Sequence, residues 1–459
     1  MTRILLVSPP FYRLWGSAYR GMNLGVSSLV ATLRRAGHDA WQLNADFEPS
    51  NDYLPTRQIY LNASGQSDWK MPLWDLFRGT ARAVAAFQPD VVGYSSFSAN
   101  YGTVAAITPL VQQLCPSVVQ IIGGPHATVD GKAASRIPAM RLRFVGEAEE
   151  SLLRYLAGGN SIPGIGTPAH RLLNLDELPP VDRKHWWSLK GRPMDAGEKR
   201  YLNFAYISTA RGCPYECAFC SAPKLWNRRV TYRGVASVLD EWEELAREWS
   251  PGRPEIHIID DTFTFDKARA LEIMAGIRER GLTAPWKCES RADAIDEEGA
   301  DALVASGCKR VKIGFESGSE AILKRVRKRE TKGRMRQTVR ILKDRDIPIT
   351  GYWIAGYPGE TDEDLRKTID FARELDLDTN SLNVFSPYPG SAFHDEMHGD
   401  WDYLIEKEPW KLFGQSRIKR CNPDLSEELL EEYWSLSGEQ KHDGKSVQPE
   451  QDIPTPTSS

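Results

Sequence analysis

Short apolar segments alternate with amphipathic segments along most of this 459-residue chain, and this alternation limits the possible folds strongly. Runs such as ILLVS, VVGYSS and VVQIIGG are typical of buried strands, whereas GVSSLVATLRR has the apolar spacing of a helix. Strands that alternate with helices form parallel sheets covered by helices. We therefore predict an α/β protein with a doubly wound, Rossmann-like parallel sheet over 1–159, a linker over 160–203 and a second βα-repeat domain over 204–395.

The C-terminal part of the chain has a different composition. The segment DLSEELLEEYWSLS predicts one amphipathic helix within a short helical segment over 396–437. Residues 438–459 are polar and rich in proline, so we expect them to be disordered.

The charge balance disfavours nucleic acid as a partner, although it leaves room for a local basic patch. Lys and Arg number 58 against 62 Asp and Glu, so the chain lacks the overall positive charge typical of nucleic-acid-binding proteins.

No apolar run approaches the ~18 residues that a membrane span needs, and the first apolar run is too short for a secretory signal. We expect a cytoplasmic protein with neither nucleic acid nor membrane as partner.

Three of the seven cysteines lie within the segment RGCPYECAFC, as Cys213, Cys217 and Cys220. Thiolates are suitable ligands for iron–sulfur clusters or zinc. Three ligands would leave one iron of a four-iron cluster open, and open coordination is typical of catalytic metal sites. The alternative is a zinc site completed by a distant residue, such as Cys288, Cys308 or Cys421.

The cysteine segment resembles the CxxxCxxC signature of the radical S-adenosylmethionine (SAM) superfamily, including the proline after Cys213 and the aromatic Phe219 before Cys220. The resemblance covers about 204–395. It implies a partial, TIM-like (βα)6 barrel and a [4Fe-4S] cluster held by the three cysteines, with Phe219 beside the cofactor. It further implies that SAM binds the open iron and is cleaved to a 5'-deoxyadenosyl radical, with an electron donor such as flavodoxin or ferredoxin.

The resemblance also places SAM-contacting residues at the ends of the later strands. The expected contacts are Asp260, Asp261 and Thr262 for the amino group, Glu289 and Arg291 for the carboxylate or ribose, Glu316 and Ser317 after the fourth strand, and Gly356, Pro358 and Gly359 beside the adenine. An alternative role for Asp260 is to cap the next helix.

Residues 1–155 resemble the cobalamin (B12)-binding domain that precedes many radical enzymes, in the stretches VVGYSSFSAN, IIGGPHATV and VGEAEESL. The candidate ligand loops hold Ser95, Ser96, Gly123, Gly124 and His126, although the two glycines alternatively make only a tight turn. Many cobalamin domains carry Asp-x-His-x-x-Gly after the first strand, whereas this chain reads PPFYRLWG. A bound cobalamin would therefore lack that histidine ligand, and a domain that binds nothing is the alternative.

Two residues inside the cysteine segment are candidate catalytic groups, Tyr215 and Glu216. A carboxylate there can bind an amine or hydroxyl of the substrate, or move a proton. Alternatively, Glu216 faces solvent or pairs with an arginine such as Arg211.

The resemblance implies a radical SAM enzyme that abstracts hydrogen from a small-molecule substrate. Among similar enzymes the commonest reaction is cobalamin-dependent C-methylation, here of a secondary metabolite such as an antibiotic precursor. The alternative is a cobalamin-independent radical 1,2-diol dehydratase that acts on an aminoglycoside-type sugar with an NADPH-dependent reductase partner. The short C-terminal tail and Glu216 favour this alternative. A catalytically inactive sensor is disfavoured, because the DDTF, GFES and GYPGE stretches are intact.

Overall fold

The computed structural model describes residues 1–11, 21–47, 70–159, 162–248, 255–397 and 422–437. The chain divides into two compact units, one formed by Met1–Gly234 with Ser386–Arg420 and the other by Val235–Phe385 with Cys421–Ser459. The segment predicted to be disordered, 438–459, lies outside the described residues, as does most of 396–421. The predicted domain boundaries stay predictions.

The first unit alternates strands and helices as its sequence pattern predicts. Its elements are β1 (Arg3–Ser8), α1 (Leu24–Arg35), β2 (Asp39–Asn44), α2 (Lys70–Phe87), β3 (Val91–Ser95), α3 (Tyr101–Leu114), β4 (Val119–Gly123), α4 (Pro125–Val129), β5 (Leu142–Arg143), α5 (Glu149–Leu156), β6 (Trp186–Trp187), α6 (Ala196–Lys199), β7 (Tyr206–Ile207), β8 (Ala210–Arg211), α7 (Ala222–Trp226) and β9 (Thr231–Tyr232).

The large sheet of this unit has the strand order β5-β4-β3-β1-β2-β6, and all its pairs are parallel. The strand β2 lies on one side of β1, and the next strand in the chain, β3, lies on the other side of β1. The order therefore reverses between β1 and β3, and ligands of such sheets bind at the carboxyl ends of the strands beside that point.

Apolar side chains of the sheet and of α1 pack together and form the core of the first unit. Buried core residues include Ile4, Leu6, Val30, Ile121 and Phe144. The helical spacing of the apolar residues in α1 places Val26, Val30 and Leu33 against the strands, which is why this segment folds as a helix over the sheet.

The predicted linker contributes a strand to the sheet. In β6, Trp186 pairs with Gln42 and Trp187 with Leu43, both on β2. Both tryptophans are buried, and the indole Nε1 of Trp187 donates to the carbonyl of Ala83 at 2.9 Å. Residues 160–203 therefore include part of the first sheet, whereas the Pro- and Gly-rich composition predicted only a connector.

In the described part of the second unit, five neighbouring strands are parallel in the order β14-β13-β12-β11-β10, each followed or preceded by helices. Its elements are α8 (Val235–Glu248), β10 (Ile256–Ile258), α9 (Lys267–Glu279), β11 (Trp286–Ser290), α10 (Glu297–Ala305), β12 (Cys308–Glu316), α11 (Glu320–Arg325), α12 (Lys332–Lys343), β13 (Ile349–Ala355), α13 (Asp362–Leu375) and β14 (Thr379–Val384). The chain then forms α14 (Ala392–Glu396) in the first unit and α15 (Glu427–Ser435) in the second.

The helix α15 confirms the helix predicted from DLSEELLEEYWSLS and packs on the second unit. Tyr433 is fully buried, and its hydroxyl donates to the carbonyl of Asn383 at 3.0 Å. Glu432 forms ion pairs with Arg366 and Arg373 on α13. The amphipathic helix α15 is therefore held on the second unit by a buried tyrosine and by charged contacts.

Candidate functional site

The three candidate cluster ligands lie on the loop 212–230, which we call the cysteine loop. It connects β8 and β9, which pair in antiparallel fashion through Ala210 with Tyr232 and Arg211 with Thr231. Gly212 has a φ of +111°, and a Cβ atom at this position would collide with the carbonyl of Arg229. A glycine is therefore required where the chain leaves β8 and enters the cysteine segment.

Cys213, Cys217 and Cys220 are half-buried thiols on this loop. The backbone turns between the last two, since the amide of Cys220 donates to the carbonyl of Cys217 at 3.1 Å. The Sγ of Cys220 accepts a hydrogen bond from the amide of Ala222 at 3.4 Å, a contact of the kind that stabilises a thiolate ligand.

Within the described residues, no three His, Cys, Asp or Glu side chains are grouped as ligands of a single metal ion. A four-iron cluster instead takes one thiolate at each ligated iron, so its ligands stand apart from one another. Three half-buried thiols on one short loop match the three-cysteine ligand set of such a cluster.

Glu216 forms an ion pair with Arg228, which lies on the same loop. The Nε of Arg228 also donates to the carbonyl of Pro214 at 3.3 Å, so this arginine contacts the segment on both sides of Tyr215. Arg228 has a φ of +56°, a left-handed conformation that non-glycine residues seldom adopt. The expected alternative of an arginine partner is thus realised, but by Arg228 rather than by Arg211. Tyr215 is half-buried beside this pair.

The candidate cobalamin loops lie at the carboxyl edge of the first sheet. Ser95 ends β3, and its Oγ accepts from the side-chain amide of Asn23 at 3.2 Å. Ser96 is fully buried, and its amide donates to the carbonyl of Gly123 at 2.9 Å. The structure therefore brings these serines and Gly123 together beside the reversal of strand order. The segment PPFYRLWG after β1 lies mostly outside the described residues.

Gly124 has a structural role in this edge. Its φ is +91°, and a Cβ atom would lie 2.9 Å from both the backbone N and O of Ser96. The close packing of two backbone segments therefore explains the glycine, in agreement with the tight-turn interpretation. At Gly123 a Cβ would meet only Phe144, at an ordinary 3.7 Å, so packing does not explain that glycine.

His126 is fully buried behind the same edge. Its Nδ1 lies 3.0 Å from Ser98 Oγ, its Nε2 lies 3.4 Å from Asp130 Oδ2, and its ring centroid is 4.3 Å from that of Tyr101. Burial alone would raise the pKa of Asp130, but the contacts with His126 and Arg136 lower it to about 2. These contacts fit a histidine that stabilises the loop.

The first candidate SAM segment follows β10 in the second unit. Asp260 is buried, and the hydroxyl of Thr262 donates to the carbonyl of Asp261 at 2.7 Å. The next helix, α9, is capped by Asp266, whose carboxylate accepts from the amide of Arg269 at 3.1 Å. The alternative that Asp260 is the helix cap is therefore wrong.

Glu289, on β11, lies in a polar cluster with side chains from neighbouring strands. Its Oε1 accepts from the hydroxyl of Tyr352 at 3.5 Å and lies 3.6 Å from the Nε2 of His257. Burial would raise the pKa of Glu289, but the contact with His257 and the positive charge of Lys312 lower it below its ordinary value. Glu289 is therefore held as a carboxylate, the form that accepts hydrogen bonds from a ligand.

Arg291 lies instead in a network of buried charges. Its guanidinium binds Asp293 through two hydrogen bonds of 2.9 Å, donates to the carbonyl of Lys328 at 2.9 Å, and lies 3.6 Å from Glu330. The ammonium of Lys328 in turn lies 3.1 Å from Glu316 and 3.3 Å from Glu330. Burial raises the pKa of Glu330, although both cations oppose the shift. These contacts fix the orientation of Arg291 within the protein.

The Gly-Phe-Glu-Ser stretch at the end of β12 explains how Glu316 is oriented. The register with β13 shifts between Gly314 and Glu316, and Glu316 has a φ of +66°. A Cβ at position 314 would meet the carboxylate of Glu316 and lie 3.1 Å from Lys328 Nζ. The bulge and the glycine therefore make room for the Glu316–Lys328 ion pair. The Oγ of Ser317, in contrast, lies 2.9 Å from the hydroxyl of Thr368 inside the fold.

The loop after β13 holds Gly356, Pro358 and Gly359 and is organised by Glu360. The amides of Gly356 and Tyr357 donate to Glu360 Oε2 at 2.5 and 3.2 Å. Its Oε1 is buried and has no hydrogen-bond partner among the residues that the structure describes. Burial raises the pKa of Glu360 to about 8.

Sequence reasoning missed five residues of these clusters: His257, Lys328, Glu330, Tyr352 and Glu360. Two of them had a visible signal, because His257 and Tyr352 interrupt otherwise apolar strand segments. Lys328 and Glu330 lie in a basic run, LKRVRKRETKGRMR, that is typical of a solvated surface. Only the fold shows that these two side chains are buried.

Comparison with known proteins identifies the two parts of the chain. Residues 207–372 match the model of the radical SAM superfamily, and residues 17–156 match that of the B12 binding domain. An uncharacterized methyltransferase of Pyrococcus horikoshii is 30% identical over 346 residues, which is 72% of each chain. Cytidylyl-2-hydroxyethylphosphonate methyltransferase of Streptomyces wedmorensis is 28% identical over 360 residues, 68% of this chain and 67% of the relative.

The fold has a counterpart among solved structures. The radical SAM methyltransferase TsrM of Kitasatospora setae superimposes with a TM-score of 0.65 at 20% identity, over 86% of this chain and 76% of its own.

The chain belongs to the radical SAM superfamily, in the group that carries an additional B12-binding domain. It is a radical SAM enzyme, and membership implies a [4Fe-4S] cluster and SAM as cofactors. The predicted α/β fold class, with a B12-type parallel-sheet domain before the radical SAM domain, is confirmed. Within the described ranges, no helix has both the length and the apolar character to cross a membrane.

Proposed function

We propose that this enzyme is a cobalamin-dependent radical SAM methyltransferase that methylates a carbon atom of a small-molecule secondary metabolite. The observation that carries the proposal is that the cysteine loop and the carboxyl edge of a B12-type sheet occur together in the first unit. Two relatives that bear the name methyltransferase support the same reaction.

In this proposal the three cysteines bind the cluster and leave one iron for SAM. When bound, the cluster would supply the electron for cleavage of SAM, with flavodoxin or ferredoxin as the donor in the cytoplasm. Phe219 lies next to Cys220 in the sequence and would pack beside the cofactor. Tyr215 and Glu216 contact the substrate, and the ion pair with Arg228 holds the Glu216 carboxylate in place.

The carboxyl edge of the first sheet would hold the cobalamin, which supplies the methyl group when it is bound. Ser95, Ser96 and Gly123 line this edge beside the reversal of strand order, and Gly123 is the glycine that internal packing leaves unexplained. Gly124 and His126 would act by holding the loop in shape. These observations fit a ligand that approaches the backbone closely.

We divide the candidate SAM contacts in the second unit into three groups. Glu289 and Glu316 are oriented carboxylates near strand ends, and we assign them to hydrogen bonds with SAM, together with Asp260, Asp261 and Thr262. Gly356, Pro358 and Gly359 would contact the adenine through their backbone. Because Arg291 and Ser317 bond to other protein groups, we assign them to the support of the pocket.

Measurement of the bound cofactors tests the proposal. On anaerobically reconstituted protein we expect about four irons and four sulfides per chain, together with stoichiometric cobalamin. With methyl-deuterated SAM, a methylated product should carry the label. Cys213→Ala should lose the iron, whereas Cys288→Ala, the same change at a buried thiol on β11, should retain it.

The other outcomes contradict the proposal in distinct ways. Four irons without cobalamin, even after cobalamin is offered in excess, would favour the diol dehydratase with its reductase partner. One zinc ion in place of iron would overturn the cluster itself.

A further inference from the structure

The residue Arg171 has no role in the proposed chemistry, yet it contacts both the residue that precedes the cysteine loop and a residue within the loop. Its Nη2 donates to the carbonyl of Arg211, immediately before the loop, at 2.6 Å. Its guanidinium carbon lies 4.5 Å from the ring centroid of Trp226, six residues after Cys220. Few side chains other than arginine can make a planar stacking contact and a directed hydrogen bond at the same time.

The same guanidinium also binds the B12-type domain. Its Nη1 lies 3.1 Å from Oε2 of Glu147, which follows β5, and this oxygen also accepts from the amide of Leu172 at 2.9 Å. The other oxygen of Glu147 binds Arg211 at 2.9 Å. Glu147 is therefore shared between the two arginines at the start of the cysteine loop.

A second carboxylate completes this cluster. Glu149 binds the guanidinium of Arg211 at 2.8 Å and accepts from the hydroxyl of Ser28 on α1 at 2.9 Å. The side chains of Glu147 and Glu149 are about 5% exposed, and those of Arg171 and Arg211 are 17% and 20% exposed. Two positive and two negative charges therefore balance one another away from bulk water. Burial lowers the pKa of Arg171, and Glu147 counteracts the shift.

We propose that Arg171 is a positioning residue that holds the cysteine loop against the B12-type domain, through Glu147 on one side and through Arg211 and Trp226 on the other. The cluster ligands are then placed by residues that follow β5, an edge strand of the first sheet. The inference rests on the proposed cluster at Cys213, Cys217 and Cys220.

The variant Arg171→Met tests this role, because methionine keeps an unbranched apolar side chain but removes the charge and the donors. In the cofactor-free chain we expect amide hydrogen exchange within 212–230 to become about tenfold faster or more, since the variant leaves Glu147 buried without one of its partners. In the reconstituted chain we expect an altered electron paramagnetic resonance signal of the reduced cluster, as for other changes of outer-shell groups.

Two further variants separate positioning from general stability. Arg171→Lys retains the charge beside Glu147 but cannot also stack on Trp226, so it should remain folded and still show faster exchange in the loop. Arg154→Met makes the same substitution as Arg171→Met at an exposed residue paired with Glu150 in the same unit. It should change neither the exchange of the loop nor the cluster signal.

Several results would overturn the inference. Loop exchange and a cluster signal identical to those of the wild type would show that Arg171 does not position the loop. Faster exchange spread evenly over the first unit would show that it supports only overall stability. The failure of the proposed function would look different, because the wild-type protein itself would then lack either the four-iron cluster or bound cobalamin.

Discussion

At the scale of single residues, the candidate SAM site contains carboxyl groups whose ionisation the fold has changed. Glu360 is the clearest case, because two backbone amides bind one of its oxygens while the other is buried without a described partner. Burial and the neighbouring Asp364 raise its pKa to about 8. The folded chain therefore binds a proton there that the unfolded chain releases at a much lower pH.

We expect this proton to make stability depend on pH. A raised carboxyl pKa stabilises the folded state fully below the unfolded value near 4.5, and this contribution is lost as the pH rises towards about 8. Glu360→Gln cannot ionise, so between pH 5.5 and pH 8 its melting temperature should fall less than that of the wild type. Thermal unfolding followed by circular dichroism would measure this difference.

Glu363→Gln provides the matched control, because this side chain is 79% exposed on α13, the helix that begins two residues after Glu360. It should retain the pH dependence of the wild type. Equal pH dependence in the Glu360→Gln variant and in the wild type would mean that Glu360 is ionised throughout this range.

At the scale of elements, the end of β12 shows how a local irregularity orients a candidate ligand-binding group. A regular strand would direct Glu316 by simple alternation, whereas the register shift and the left-handed φ redirect it towards Lys328. Strained backbone of this kind costs about 1–3 kcal/mol and is concentrated at functional sites.

The variant Gly314→Ala tests this arrangement. The added methyl group would displace Glu316 or Lys328, so we expect a loss of about 1–3 kcal/mol of stability. If Glu316 contacts SAM, the affinity for SAM should fall as well. Thermal unfolding and equilibrium dialysis with labelled SAM would measure the two effects.

A second glycine in the same unit serves as the control. In α12, a Cβ at Gly333 would have only the hydroxyl of Thr331 nearby, at 4.0 Å. Gly333→Ala should therefore stabilise the protein by about 0.5–1 kcal/mol and leave SAM binding unchanged. Unchanged SAM affinity in Gly314→Ala, with the ion pair disturbed, would remove Glu316 from the SAM site.

At the scale of the whole molecule, the segment between the two predicted domains is a structural part of the first sheet. Trp187 is 8% exposed, and its ring centroid is 5.0 Å from that of Phe87. The residues that precede it are ordered too, since Arg183 donates to the carbonyls of Phe204 and Tyr206. Proteases cleave flexible segments, so this ordered segment should be cleaved slowly.

We therefore expect trypsin to cut slowly after Arg183 and Lys184 in the native chain. Trp187→Ala removes a buried indole, at a cost of about 3–5 kcal/mol, and should free β6 and accelerate cleavage at both sites. Leu173→Ala changes a side chain that is 83% exposed in the same segment and should have no effect. Rapid cleavage of the wild type at these sites would contradict the added strand.

Much of the architecture follows from patterns that are local in the sequence. The apolar periodicities of ILLVS and GVSSLVATLRR correctly predicted β1 and α1, and the alternation of such segments correctly predicted parallel sheets. The spacing of Cys213, Cys217 and Cys220 and the chemistry of thiolates predicted a metal site, and the resemblance of this segment to the radical SAM signature predicted an iron–sulfur enzyme. These features were accessible because each depends on residues within one strand, helix or loop.

The partners of charged side chains were decided only by the tertiary structure. Glu216 pairs with Arg228 rather than with Arg211, which lies closer in sequence but is bound by Glu147 and Glu149. Lys328, in a run that is typical of a solvated helix, is buried between two carboxylates. The physical reason is that local sequence specifies periodicity and side-chain chemistry, whereas ion pairing and burial depend on which distant segments the packed fold brings together.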